Sequence, residues 1–497
     1  MIVCKKLKCR KLCGILAVVP FVVAAVLSVF LLASCQRQRV SGNRPLEFSS
    51  DTILFDTVFT TISSSTRYFT VKNTSSEDME VDISLAGGKL SFYSMNVDGV
   101  AGVSFKDVLI PARDSIFVFV KVNINPSYQN NPFLVTDSIM FANDEVRQSV
   151  QLVAFGQDAH FVIPNQTVAG MKINIIAREH EHVHWTNDKP WVIYGWAAVD
   201  SLGKLTIDPG TKVYVHSGGG IWVYRFGNIH INGTVSQPVE IRGDRLEPFF
   251  ANDYAQWDRI WICEGSEDNI IENAVISNAS IGLQLAALEE FTGNKTVVNN
   301  TIIKNNQNYG VLAQIANLEM NNCQVSGNGQ RSLLLQIGDF ELNHVTVANY
   351  YTQGSRKDAA VSLQNVFRQQ TLDSYGNVMD NYYIGNTNAI FRNTVIYGPL
   401  NSEFTTVSSK EADLNYSFVN CVVKRDSLPS AHFENCFNKD PKFVDKYRQD
   451  YNLEEDSPLI DAGSTNVSLF TDILGRLRNG VPDIGAYEYY PVSESWR

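Results

Sequence analysis

The sequence predicts an all-β protein: a β-sandwich, then a solenoid of β coils, then a C-terminal cap. Three observations predict it. From residue 269 to 438 one motif recurs, an apolar residue two places before a polar anchor, at Asn273, Asn300, Asn322, His344, Asn365, Asn393, Asn420 and Asn435. Neighbouring anchors are 27, 22, 22, 21, 28, 27 and 15 residues apart, close to the period of architectures in which each repeat is one coil. Upstream, residues 46–158 carry short alternating runs separated by turn residues. Beyond Asn435 the repeat stops and a different pattern takes over.

The apolar–any–Asn alternation reads as strand, because side chains of an extended chain alternate between faces. An anchor in a parallel stack meets its copy one rung away, about 4.8 Å distant. Asparagine carries both donor and acceptor, so a column of them can satisfy itself. Asn322 is therefore expected to face inward and bond to the next rung. Segments such as Asn300-Thr-Ile-Ile-Lys-Asn-Asn306 and Leu318-Glu-Met-Asn-Asn-Cys323 resemble coils of the right-handed parallel β-helix, the pectate-lyase-like class. The resemblance implies architecture; activity has to be argued from a site, since one fold hosts many functions.

In chain order, residues 1–35 read as a leader: Lys5, Lys6, Lys8, Arg10 and Lys11, an apolar run from Ile15 to Ala33, then Leu32-Ala33-Ser34-Cys35. This is similar to the lipobox of bacterial lipoproteins, which implies cleavage before Cys35 and its lipidation; a multiply acylated cysteine anchors stably. The absence of aspartate at Gln36 implies, by the same resemblance, delivery to the outer membrane, facing the periplasm or the surface. Residues 36–45 form a polar tether. From 46 to 158, runs such as Thr52–Val58, Tyr68–Asn73, Met79–Leu85, Ile116–Val122, Asp137–Phe141 and Val150–Phe155 imply about seven strands and a sandwich. Val71-Lys-Asn-Thr74 and Ile110-Pro-Ala-Arg113 among them resemble immunoglobulin-like modules of the abnormal-spindle type. Residues 159–438 make the β-helix, opening with Leu205-Thr-Ile-Asp-Pro-Gly-Thr211 and Ile229-His-Ile-Asn-Gly-Thr234. Residues 439–497, with Ser457-Pro-Leu-Ile-Asp-Ala-Gly463 and Asp483-Ile-Gly-Ala-Tyr-Glu488, resemble the C-terminal segment of choice-of-anchor proteins. They are expected to cap an otherwise open coil end.

The formal charge is −11, and −16 without the leader, which holds five bases and no acids. That balance excludes nucleic acid as a partner and general adsorption to anionic lipid. Of the cysteines outside the leader, Cys323, Cys421 and Cys436 each follow an anchor, the slot of a small buried filler. A Cys421–Cys436 disulfide is open in an oxidising compartment.

Several residue groups carry candidate chemistry. Asp258, Arg259 and Glu264 are catalytic candidates, since paired carboxylates can act on a glycosidic bond; a solvated loop accounts for them equally. The strings that the resemblance implies for pectate-lyase-like or polygalacturonase-type catalysis do not occur. His180, His182 and His184 alternate, so in an extended chain all three share a face suited to zinc, with His216 or His230 as further ligands. Asp461, Asp472, Asp483 and Glu488 could hold calcium or serve turns. Trp222, Trp257 and Trp261 could stack on sugars or simply pack. The resulting expectation is a lipid-anchored envelope protein that binds or scaffolds, with an outer-membrane protein or a polysaccharide as partner, no required cofactor and no catalysis. Its rival is a carbohydrate-active enzyme, a lyase or glycoside hydrolase.

Overall fold

The computed structural model describes residues 45–491, apart from 61–63, 127–132, 144–146, 287–294, 373–377 and 468. The leader, Cys35 and the tether lie outside the described residues. No described helix is long and apolar enough to cross a membrane. The chain forms two compact units, the first made of residues up to Asn125 together with Phe133–Gly156 and the second running from Gln157 onward.

The first unit contains two five-stranded sheets, paired antiparallel. Alternation in Met79–Leu85 and Ser115–Val122 sends one set of side chains into a core drawn from both sheets, including Phe55, Phe69, Val81, Val118 and Phe141. Every alternating run read from the sequence falls on a strand. Tyr93–Val97 and Ser104–Ile110 are additional. The latter sits at a sheet edge, where one-sided burial leaves little alternation to read.

The second unit contains three ten-stranded sheets. Each turn of the coil contributes one strand to each, as in Gln324–Ser326, Arg331–Gln336 and Gly338–Asn343. All coil-to-coil pairings are parallel. We call these the first, second and third sheets in chain order. Their inward residues, among them Ile276, Val311, Leu333, Leu342, Phe391 and Phe418, form one continuous core. At the N-terminal end Gln166–Val168 folds back antiparallel on Met171–Ala177, ending the second sheet on a reversed strand.

The anchors do not lie in strands. Asn273, Asn300, Asn322, His344, Asn393, Asn420 and Asn435 all have φ between 47° and 54°, at the corner from the third sheet to the first. Asparagine tolerates this left-handed conformation better than other non-glycine residues, which is a second reason for its recurrence. The ladder is present: Asn322 Nδ2 donates to Asn300 Oδ1 at 3.1 Å and Asn393 Nδ2 to His344 Nε2 at 2.9 Å. Asn365 is misassigned by the repeat. It follows the second-sheet strand Val361–Gln364 and binds the carbonyls of Ser409 and Ala412, so one coil spans the 49 residues from His344 to Asn393. A hairpin, Val366–Leu372 with Val378–Ile384, accounts for much of its length. A second ladder was not legible as one: Asn306 Nδ2 donates to Asn328 Oδ1 at 2.9 Å, and Asn349 Oδ1 accepts from the Asn328 amide at 2.7 Å.

The residues after the anchors fill the corner. Thr301, Cys323, Thr394 and Cys421 are fully buried, and burial pushes the Cys323 thiol up to about 12. Cys421 and Cys436 are free thiols.

Among the described residues the C-terminal segment is not seen to close the coil end. It runs along the flank, and its Phe443, Tyr451, Leu453, Leu459, Ile473, Ile484 and Tyr487 form a second core against outward residues of the first sheet such as Ala348, Val395, Tyr397 and Val422. It also covers the anchor ladder. Asn322 therefore faces this segment, not the coil interior, donating to Thr471 O and accepting from Arg478 at 2.9 Å. Asn393 reaches Ser464 O and Asn420 reaches Ala462 O.

His344 is the one imidazole in the ladder. Its Nδ1 faces Gly485 O at 3.2 Å, and its Nε2 stands 3.0 Å from Val467 O and 2.9 Å from Asn393 Nδ2, so both ring nitrogens are engaged. Burial, with the nearby Arg478 charge, pushes its pKa from 6.5 down to about 3. The unfolded chain therefore binds a proton that the folded chain refuses, and His344 removes stability as pH falls below about 6.5. Asp483, pushed by burial from 3.8 up to about 6, acts oppositely, its contribution being lost as pH rises through about 6. The His344→Asn variant should thus lose less of its melting midpoint between pH 7 and 4.5 than the wild type does. Equal losses would show that His344 is not the titrating group.

Candidate functional site

The three outer faces of the coil differ in what they leave open. The first sheet is covered by the C-terminal segment over its later coils. On the second sheet the outward Trp196, Ala198, Trp222, Ile281, Leu312 and Leu334 are all buried. The third sheet remains open.

The tryptophan and carboxylate candidates read from the sequence fall on or beside the second sheet, and they do not assemble as expected. Trp257 points inward, fully buried, and its Nε1 donates to Ser277 O at 2.8 Å. Trp222 is buried among Ile173, Trp196, Ala198 and Cys263, stacked on Trp261 at 5.8 Å with its Nε1 on Cys263 Sγ. These indoles pack; they do not form an open platform. Asp258 is held by Arg259 at 2.5 Å, and Arg259 also binds Gln284. Glu264 is buried against Arg225. Asp258 lies near the start of the strand Trp257–Cys263 and Glu264 just beyond its end, six residue steps or roughly 20 Å apart along extended chain, at least twice the ~5–10 Å separation of glycosidase carboxylates. They do not form a catalytic pair.

The histidines do not converge either. The strand covers only His182–Trp185, while His180 lies in a turn at φ 62° beside Glu179. His182 and His184 share a face, their rings 4.3 Å apart, but His182 binds Thr206 and His184 faces Asp208. His216 is bonded to Asp244 at 2.6 Å, which raises its pKa. His230 faces Asp268 O at 2.8 Å. Among the described residues no group of three or more His, Cys, Asp or Glu has metal-binding geometry. The acids of the C-terminal segment are engaged internally: Asp472 with Arg476 and backbone amides, Asp483 with the amides of Asp461 and Tyr489, and Glu488 with Arg478.

The open third sheet presents three outward columns, at five, three and one places before the anchors. The first is Lys295, Asn317, Asp339, Asn388 and Asn415. Asn388 Nδ2 donates to Asp339 Oδ1 at 2.8 Å and Asn415 Nδ2 to Asn388 Oδ1 at 3.0 Å. The second places Glu319 beside Glu341 in register. Each has a cation and an amide: Lys295 and Asn321 for Glu319, Arg392 at 2.7 Å and Asn343 for Glu341. Burial works against the charge on Glu319, yet Lys295 and Asn321 hold its pKa below the usual value. The third column, Asn299, Asn321 and Asn343, is bonded rung to rung at 3.1 and 3.0 Å. A cavity of about 380 Å³ opens between the first two, lined by Lys295, Asn317, Leu318, Asp339, Phe340, Glu341, Asn388 and Ile390. In the sequence, Glu319 and Glu341 each stand three places before an anchor, an odd offset that suits an outward face. The column five places before the anchors carries a fainter signal, the recurrence of Asn or Asp at that offset.

With this geometry in hand, residues 197–350 match the family model described as the right handed beta helix region. The solenoid is a right-handed β-helix. One solved structure with local likeness is a family 123 glycoside hydrolase from Clostridium perfringens, studied for glycolipid glycan hydrolysis. Identity is 10%, over 24% of this chain and 30% of that chain, with a TM-score of 0.17; a likeness of that size supports no statement about this chain. Comparison with curated proteins gives no match.

Proposed function

We propose that this chain is a lipid-anchored protein of the outer membrane, with an immunoglobulin-like spacer and a β-helix that binds a hydroxyl-rich glycan strand along its third sheet. The observation that carries the reading is the cavity of about 380 Å³ on the open third sheet. Its donors and acceptors repeat rung by rung. Amide and carboxylate groups at that spacing suit a linear ligand whose hydroxyls both give and accept hydrogen bonds. Asp339 and Asn388 sit at its centre, tied to their neighbours and still exposed. The lipid anchor rests on Leu32-Ala33-Ser34-Cys35, and an outer-membrane protein partner is compatible with the same placement. The test uses the chain purified from membranes, with mass spectrometry of its mature N-terminus, against a panel of neutral and acidic polysaccharides. An acylated Cys35, and binding that Asp339→Ala weakens about tenfold, are expected. Release of reducing ends or unsaturated products would replace binding with catalysis. No binding to any member would leave the protein partner.

A further inference from the structure

A second cleft, chemically unlike the third sheet, lies where the C-terminal segment meets one corner of the β-helix. Three successive coils supply its floor. Tyr350 and Tyr351 follow the strand Thr346–Ala348, Tyr397 ends Val395–Tyr397, and Lys424 follows Val422–Val423. The C-terminal segment supplies the wall, with Lys446 and Tyr447 after the strand Phe443–Asp445. The cleft is half open, with a volume of about 290 Å³, near the lower end of the roughly 300–1,000 Å³ of small-molecule sites.

The lining is aromatic and cationic. Lys446 Nζ stands 5.5 Å from the Tyr350 ring centroid and 5.7 Å from that of Tyr447. Lys424 Nζ stands 4.9 Å from the Tyr397 ring and donates to Gly398 O at 2.7 Å. Tyr350 meets Tyr447 edge-on at 6.4 Å, and Tyr351 is fixed by Tyr254 at 4.9 Å. Asp440 is the single carboxylate of the lining, and one of its oxygens accepts the Lys442 amide at 3.0 Å. Two ammoniums against one carboxylate leave a local excess of positive charge on a chain whose formal charge is −11. Each ammonium has three rotatable donors, more than its neighbours here use.

We propose that this cleft binds a sugar residue bearing a sulfate or phosphate group. The exposed Tyr447 and the half-buried Tyr351 offer ring faces to the apolar side of a pyranose, Tyr350 and Tyr397 are buried beneath the lysines as the floor, and the two lysines meet the anion. Among the lining residues the cations are lysines and none is arginine. A planar carboxylate is best matched by the guanidinium fork, whereas ammoniums are point charges that suit a tetrahedral oxyanion approached from two sides.

The test is titration of the full-length protein, solubilised in detergent, with glucose 6-sulfate, glucose 6-phosphate, glucuronic acid and glucose, followed by calorimetry or ligand-observed NMR. The sulfate or the phosphate should bind, and glucose should bind at least tenfold more weakly. Which of the two binds more tightly identifies the source of the anion. Lys446→Gln and Lys424→Gln should each weaken binding about tenfold, the loss expected for one charge-assisted hydrogen bond. Lys89→Gln, on the first unit, should leave it unchanged. Equal binding of glucose and its sulfate, unchanged affinity in both cleft variants, or no binding by any probe would overturn the proposal. Equal binding of glucuronic acid would overturn the choice of a tetrahedral anion.

Discussion

Replacing Arg478 with alanine should cost about 3–5 kcal/mol of stability, because it breaks a buried ion pair from one side. The side chains of Arg478 and Glu488 are 1% and 2% exposed and meet at 3.0 Å. Arg478 also donates to Asn322 Oδ1 and Gly485 O, each at 2.9 Å. It therefore joins the C-terminal segment to the anchor ladder at one point. Removing it leaves the Glu488 charge buried, with only the amides of Asn479 and Asp483 as partners. The segment should loosen before the coils do. Hydrogen exchange should rise first at Ile484–Glu488, and denaturant unfolding should show the loss in stability. A cost below about 1 kcal/mol would mean that water reaches this pair in solution.

A comparable loss, again about 3–5 kcal/mol, should follow Glu403→Ala. Glu403 and Arg356 are 0% and 1% exposed at the side chain and meet at 2.5 Å. Glu403 also accepts the amides of Ala360 at 2.9 Å and Leu400 at 3.0 Å, and Arg356 donates to Asn349 O. The pair pins the loop from Asn349 to Ala360, which carries Tyr350 and Tyr351 of the tyrosine–lysine cleft. The Glu403→Ala variant strands the guanidinium and two amides, whereas Glu403→Gln keeps an acceptor and should cost less. Beyond the stability loss, the alanine variant should weaken ligand binding in the cleft while leaving the third sheet's binding intact. Unfolding curves and the two binding assays separate these effects. A stable variant with an ordered loop would show that the turn geometry alone holds residues 349–360.

The candidate site was legible in part. The outward offsets of Glu319 and Glu341 could be read because a strand's side-chain period is two. That each carboxylate is matched by a cation from an adjoining rung, Lys295 or Arg392, could not, because pairing partners 24 or 51 residues apart depend on coil length. The tryptophans misled because composition reports clustering and not direction. Trp222 and Trp257 both belong to the second sheet's strands, yet Trp257 enters the core and Trp222 packs among outward residues. His180, His182 and His184 misled for a local reason: the left-handed turn at His180 breaks the extended run that would have aligned them.

What the sequence by itself determined was the repeat. Alternation and a self-pairing anchor dictate parallel coils, since only a stack brings identical residues to one corner at the rung spacing. The left-handed corner is not part of that determination: the alternation places the anchors in strands, and the structure puts them at φ between 47° and 54° instead. What only the tertiary structure decided was which faces of the coil remain open. The C-terminal segment covers the first sheet, although its sequence reads equally well as an end cap. Its apolar residues, Tyr451, Leu459 and Ile484 among them, specify that it must be buried against something. They do not specify the place, because hydrophobic burial is non-directional. The place is chosen by the polar contacts of Arg478 and Gly485 with Asn322 and His344, across more than a hundred residues of chain.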